Sequence, residues 1–175
     1  AQQAVSIDKQ LALAHAALCW TLIWQSDFSN ALQAGYAAIQ LDPNDTVALE
    51  RLAIAEAKTG QADMALQHLA KAHRLNPHEP YYFPRGLALY AQQKYSEAAD
   101  LFQNSIKRRN NFLPSYLYLA SSYGHLRRSD QTDELRQHIK RINPRFNLSD
   151  QFRLTFHNLD DREHFLAGLF QAGIS

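Results

Sequence analysis

The sequence predicts an all-α solenoid of stacked helix pairs, and three observations carry that prediction. Ala and Leu together number 49 of 175 residues, against 15 for Val, Ile and Thr combined, a balance that favours helix over sheet. The strings IQLDPND (Ile39–Asp45), HRLNPHE (His73–Glu79) and KRINPRF (Lys140–Phe146) mark equivalent places in successive units, with Pro43 and Pro77 34 residues apart. The same step from Pro77 reaches Asn110-Asn111 and the next reaches Pro144. A fixed period of this length marks supersecondary units that are each too small to bury their own apolar face. Between the marks, apolar residues recur at helical spacing twice per unit, with a polar break between the two runs.

In chain order this spacing predicts helix pairs at about 11–25 and 28–41, 45–58 and 61–75, 79–92 and 95–108, and 113–126 and 129–142. The breaks fall at Ser26-Asp27, Thr59-Gly60, Gln92-Gln93-Lys94 and Arg127-Arg128-Ser129. Gly60 suits a helix C-terminus, and Asp27 or Ser129 suits the N-cap of the helix that follows. Each recurring proline falls just beyond a second helix, where a missing N–H does no harm.

The third unit carries Gly86 and then KYSEA (Lys94–Ala98), an aromatic–acid–alanine opening of its second helix. The second unit has GQADMA (Gly60–Ala65) in that place, and the fourth has LYLASSYGHL (Leu117–Leu126) in its first helix. With these motifs the chain resembles the tetratricopeptide repeat (TPR) family over residues 1–144. Ala31, Ala65 and Ala98 are the small residues that let neighbouring helices approach, and Leu18, Leu52, Leu119 and Tyr123 fill the gaps between them. Thr132 stands where the family pattern has alanine, and Asn110 where it has proline.

The resemblance implies a right-handed superhelix of four TPR units over residues 11–144, with the first helix of each unit lining a concave groove. That groove would present Trp20, Trp24, Ile54, Lys58, Phe83, Leu87, Tyr90, Leu117, Ser121 and His125, an unusually aromatic row suited to an apolar helix or peptide. The basic-and-Asn clamp with which some relatives grip an acidic peptide C-terminus is missing. Ala16, Glu50 and Phe83 occupy the places where its cations would stand, which argues against an acidic-tail partner.

The two ends do not match. Residues 1–10 align with the end of a second helix, so the chain opens on half a repeat. The first full helix is apolar nearly all round, with Leu13, Ala16, Trp20 and Trp24 on faces that need a cover. After Pro144 the period stops, and residues 145–175 read as a two-helix C-terminal cap. Ser149 suits the start of a short helix running through about Phe156, and Asp160 with Glu163 forms a capping box for a last helix at about 161–171, ended by Gly173. Phe152, Phe156, Phe165, Leu166, Leu169 and Phe170 give these helices an apolar side. The stretch NLDDREHFLAGLFQAGI is similar to the tail that closes TPR arrays in bacterial proteins carrying class III nucleotide cyclase domains or winged-helix regulators. Leu13, Ala16 and Trp20 at one end, with Phe165, Leu169 and Phe170 at the other, are the candidates for an end-to-end stacking face.

The formal charge is only +1, yet it is uneven, at net −3 over residues 1–80, +6 over 81–145 and −2 over 146–175. The basic runs Lys107-Arg108-Arg109, Arg127-Arg128 and Lys140-Arg141 all lie at predicted helix C-termini, where cations complement the helix dipole. Without aromatic–basic interleaving, they do not point to nucleic acid. The apolar run Leu11–Trp24 is too short for a membrane span, and no signal peptide is visible. The single Cys19 excludes an internal disulfide and reads as a small buried hydrophobe. Eight histidines are scattered without metal-ligand spacing, and no phosphate loop, G-x-S-x-G nucleophile elbow or H-E-x-x-H motif occurs.

The sequence therefore implies no cofactor, no metal and no enzymatic activity. The expected function is protein–protein contact, as the accessory array of a larger bacterial signalling protein. The alternative is a self-assembling structural protein whose repeats stack head to tail into an oligomer or filament. A cytoplasmic location is favoured, with an extracellular one compatible with assembly.

Overall fold

The computed structural model describes residues 11–128, 131–146 and 156–174. The half unit at residues 1–10, the cap at Ser129 and the short helix from Ser149 lie outside the described residues. Among the described residues there are nine α-helices and no strand: α1 (Ala12–Trp24), α2 (Phe28–Leu41), α3 (Thr46–Lys58), α4 (Ala62–Leu75), α5 (Tyr82–Ala91), α6 (Tyr95–Arg108), α7 (Leu113–His125), α8 (Asp133–Ile142) and α9 (Leu159–Gln171).

The four expected pairs form. Each first helix packs on its own second helix, and each second helix packs on the first helix of the next unit. The first helices α1, α3, α5 and α7 also touch in succession. They make an inner layer, with α2, α4, α6 and α8 as the outer one. Ala31, Ala65 and Ala98 are fully buried, as are Leu52 and Phe102. A Cβ added at Gly86 would lie 2.7 Å from the Phe102 ring, so α5 and α6 approach to a separation that only glycine permits at this position. Thr132, in the alanine position of the fourth unit, is buried as an alanine would be.

One device turns the chain in every unit. Ser26, Gly60, Gln93 and Arg127 have φ of 59°, 80°, 60° and 56°, the left-handed conformation in which a helix end closes. The next residue then reaches back across the turn. The N–H of Asp27 donates to the carbonyl of Leu22 at 3.0 Å, Gln61 to Glu56 at 2.8 Å, Lys94 to Leu89 at 2.9 Å and Arg128 to Tyr123 at 2.9 Å. These bonds satisfy carbonyls that the helix end leaves unpaired. Glycine takes this conformation freely, whereas a side chain there opposes it by about 1–2 kcal/mol. Arg127→Gly is therefore expected to stabilise the chain by about 1 kcal/mol, read as a rise in the urea midpoint. An unchanged or lowered midpoint would show that the Arg127 side chain contributes contacts worth as much as the strain.

Three helix starts differ from the sequence expectation. Helix α8 begins at Asp133 after an N-cap at Thr132 rather than at 129. Helix α5 begins at Tyr82 rather than at 79, because Pro80 disfavours helical backbone at Glu79. Helix α9 is capped by Asn158, whose side chain accepts the Asp161 N–H at 2.8 Å. Asp160 thus lies in the first turn instead of at the cap. The main neighbour of α9 is α7, so the last helix lies on the inner layer and not beyond α8.

Candidate interaction groove

The first helices place the predicted row on one surface because a 34-residue step returns each unit to the same orientation. Trp20 and Trp24, one helical turn apart on α1, meet edge to face with centroids 5.5 Å apart. Together with Ile54, Phe83 and Leu117 they wall a cavity of about 290 Å³, which Lys58, Tyr118 and Phe165 close on the far side. Phe83 is held in place by rings around it, 4.8 Å from Phe112 and 5.9 Å from Phe102. The cavity suits one large apolar side chain.

Lys58 sits at the centre of the inner face. Its ammonium donates to the Tyr118 hydroxyl at 3.4 Å and lies over the rings of Tyr118 and Phe156. Burial pulls this amine down to about 8, and the charge of Asp161 partly opposes the shift. Burial likewise pushes the Tyr118 and Tyr90 hydroxyls far above their ordinary range. Beyond Lys58 a second cavity of about 370 Å³ runs between the array and the tail. Leu87, Tyr90 and Gln93 line it on one side, and Asp160, Asp161 and His164 on the other.

The C-terminal segment crosses this surface. His157 meets the Phe28 ring at 5.9 Å, Phe156 lies by Lys58, and α9 then runs along α7. Phe165 is 0% exposed and packs 4.6 Å from Tyr118 and 5.2 Å from Phe156, ring to ring. The Ser121 hydroxyl donates to the backbone carbonyl of Phe165 at 3.0 Å. Its one proton is used there, so the Tyr90 hydroxyl donates to Ser121 Oγ at 2.7 Å. His125 and His164 stack across the same joint, centroids 4.2 Å apart and nearly parallel. His125 Nε2 donates to the His164 carbonyl at 3.1 Å, and Tyr95 bonds His164 Nε2 at 2.7 Å. Burial lowers the His125 imidazole, the charge of His164 lowers it further, and the bond to the His164 carbonyl works the other way. Both helices carry glycine where their backbones meet. A Cβ at Gly124 would fall 1.8 Å from the Gly168 carbonyl oxygen, and one at Gly168 would fall 2.3 Å from Ser121 Oγ.

Of the predicted groove residues, Trp20, Trp24, Ile54, Lys58, Phe83 and Leu117 meet at the first cavity. Lys58, Leu87 and Tyr90 meet at the second, and His125 lies in the α7–α9 joint. The six stacking-face candidates, three at each end of the array, are not all open to a neighbour. Leu13 and Phe170 are 57% and 61% exposed. Ala16 is fully buried with Ala38 and Ala48, and Trp20 belongs to the groove wall. Phe165 and Leu169 are fully buried, taken up by the chain's own inner face. Sequence reading missed Tyr118, Gly124, His164 and Gly168 as partners in one joint. The available signal was a pair of glycines in helices that otherwise lack them, Gly124 and Gly168.

Burial pushes the Cys19 thiol up to about 12, so it is unreactive as a nucleophile. Among the described residues no group of three or more His, Cys, Asp or Glu is placed to hold a metal ion, and no helix is long and apolar enough to cross a membrane.

No family model matches the chain. Among curated proteins it is similar to small glutamine-rich tetratricopeptide repeat-containing protein 2 of Mycosarcoma maydis, 30% identical over 82 residues. That match covers 46% of this chain and only 23% of the relative's length. Among solved structures it is similar to MamA protein, with a TM-score of 0.58 and 19% identity over 93% of this chain and 92% of that one. It is also similar to YrrB, a TPR protein with an unusual peptide-binding site, with a TM-score of 0.56 and 16% identity over 98% of this chain and 89% of that one.

Proposed function

From a chain that folds as a tetratricopeptide-repeat array, we propose a protein-interaction scaffold whose inner groove receives a partner protein and which performs no reaction of its own. The carrying observation is the cavity of about 290 Å³ walled by Trp20, Trp24, Ile54, Phe83 and Leu117. Clustered aromatic anchors around a concave apolar site are what a binding hot spot requires. The likeness to YrrB, itself a TPR protein with a peptide-binding site, supports the same reading. The similarity of the tail to those of bacterial signalling proteins supports a place as the accessory array of a larger protein of that kind.

The test is a photoreactive side chain at Trp24 on the groove, compared with one at Met64, which is exposed on the outer helix α4. Cross-linking in the native cell is expected to join position 24, and not position 64, to a second protein. Equal products at both positions, or none at 24, would sink the groove as the partner site. A second reading, end-to-end self-assembly, draws on Leu11 and Leu13, which stand exposed on the edge of α1. Light scattering over a hundredfold range of concentration separates the two. A constant mass of 20.0 kDa belongs to the scaffold, and a growing ladder of masses to assembly.

A further inference from the structure

We propose that α9 is a ligand the chain carries for its own groove, and that the partner is a helix of the same pattern which must displace it. This deepens the scaffold reading and rests on it. Four observations on the joint carry the inference.

First, α9 packs on the inner layer, where the groove is, and meets side chains from separate units: Lys58 of α3 lines one cavity with Asp161, the Tyr90 ring of α5 meets His164 and Phe165, and Ser121 of α7 bonds the Phe165 carbonyl. A helix that only finished the stack would pack beyond α8. Second, part of the recognition is of a helix backbone. Ser121 donates to the Phe165 carbonyl, an acceptor every helix offers at that place, and the close approach at Gly124 admits only a residue without a side chain opposite it. Third, side-chain selectivity is narrow. The groove takes an aromatic residue at position 165 with glycine three positions on, and Lys58 shares a cavity with Asp161 of the first turn. Fourth, α9 leaves room. Cavities of about 290 and 370 Å³ flank it, whereas a permanent core interface packs to interior density.

The fitting partner is thus an amphipathic helix with an acidic first turn, an aromatic anchor and glycine three residues later. Larger apolar side chains beside the anchor would fill the space that α9 leaves empty. Such a helix competes with a tethered rival held at high effective concentration. The groove is therefore closed to weak ligands and opens to one that fills it better.

The experiment uses the full chain and a fluorescein-labelled synthetic peptide of residues 156–174. Gly168→Val places a side chain against Ser121, unseats α9 and leaves every groove residue unchanged. Gly124→Val blocks the groove itself. Fluorescence anisotropy is expected to show the peptide binding Gly168→Val about tenfold or more tightly than the parent chain, because the apparent affinity scales with the open fraction. Gly124→Val should bind no peptide. Phe165→Ala is the milder second route to an empty groove should Gly168→Val fold poorly, and it should bind as Gly168→Val does. Equal binding by the parent chain and the opened variants overturns the proposal, as does absence of binding by both opened variants with their helical signal intact. Either result would leave cross-linking at Trp24 untouched, so failure here and failure of the scaffold reading are told apart.

Discussion

Phe165→Ala is expected to free the C-terminal helix from the inner face while the repeats stay folded. Phe165 is the largest side chain of α9 that is wholly buried, packed against Tyr118, Tyr90 and Phe156. Truncating a buried phenylalanine to alanine removes about 3–5 kcal/mol, through lost apolar transfer and the cavity left behind. The other attachments of α9 are the hydrogen bonds of Ser121 to the Phe165 carbonyl, of His125 to the His164 carbonyl and of Tyr95 to His164, the His125–His164 stack and burial of Leu169. Each is worth about 1–3 kcal/mol, and together they must also offset the cost of ordering the segment. Losing the aromatic anchor therefore tips the local balance toward release. The repeats lose little, since their alternating layers are built from Ala31, Leu52, Ala65, Leu69, Ala98 and Phe102, none of which relies on the tail for burial between helix pairs. Hydrogen exchange is the direct reading. Amides of Leu166–Gln171 should exchange far faster in the variant, and those of α3 to α6 should keep their protection. Uniform loss of protection across the chain would mean that the tail and the array unfold as one unit. An unchanged α9 would mean that its hold does not depend on Phe165.

The contrast between array and tail also explains what the sequence made legible. The helix pairs follow from a period, and a period is a local property. Residues such as Ala31, Ala65 and Ala98 recur because each unit faces the same packing problem, and Trp24 and Lys58 fall in register because they are one repeat apart. The turns were half legible: Gly60 advertises its left-handed backbone, whereas Ser26, Gln93 and Arg127 adopt it without any glycine signal. The start of α5 shifted because Pro80 acts on the residue before it, a local effect that the apolar spacing does not register. The seat of α9 was not legible, because it depends on a meeting of Gly124 with Gly168 that no repeat prefigures. An apolar face on a last helix fits the end of the stack as well as its inside. For the same reason Phe165 and Leu169, read as stacking residues, are core residues of the joint.

His68→Leu is expected to cost about 3–5 kcal/mol, although the substitution adds apolar surface to a helix that has no part in the groove. The reason is Glu56, whose side chain is 0% exposed on α3 between α2 and α4. One carboxyl oxygen accepts the Tyr36 hydroxyl at 2.9 Å, and the other is bonded to His68 Nδ1 at 2.8 Å. Burial, the bond to Glu56 and the charge of Glu56 together push the Tyr36 hydroxyl up to about 12. Three consecutive helices thus contribute one group each to a small polar knot within an otherwise apolar layer, and the knot ties the first unit to the second. Removing one member of such a buried set leaves the other without its partner in a medium that cannot solvate it, which is the costly half of the transaction. Removing both Glu56 and His68 is far milder, because an apolar pair of similar volume needs no partner and the partly exposed Tyr36 hydroxyl can turn to water. The double variant His68→Leu with Glu56→Leu should therefore recover most of the loss. Urea unfolding of the two variants beside the parent chain checks both statements. A loss below about 1 kcal/mol for His68→Leu would mean that water or a neighbouring donor replaces the imidazole at Glu56. A double variant as unstable as the single one would mean that the polar knot holds the two units in register in a way that apolar packing does not reproduce.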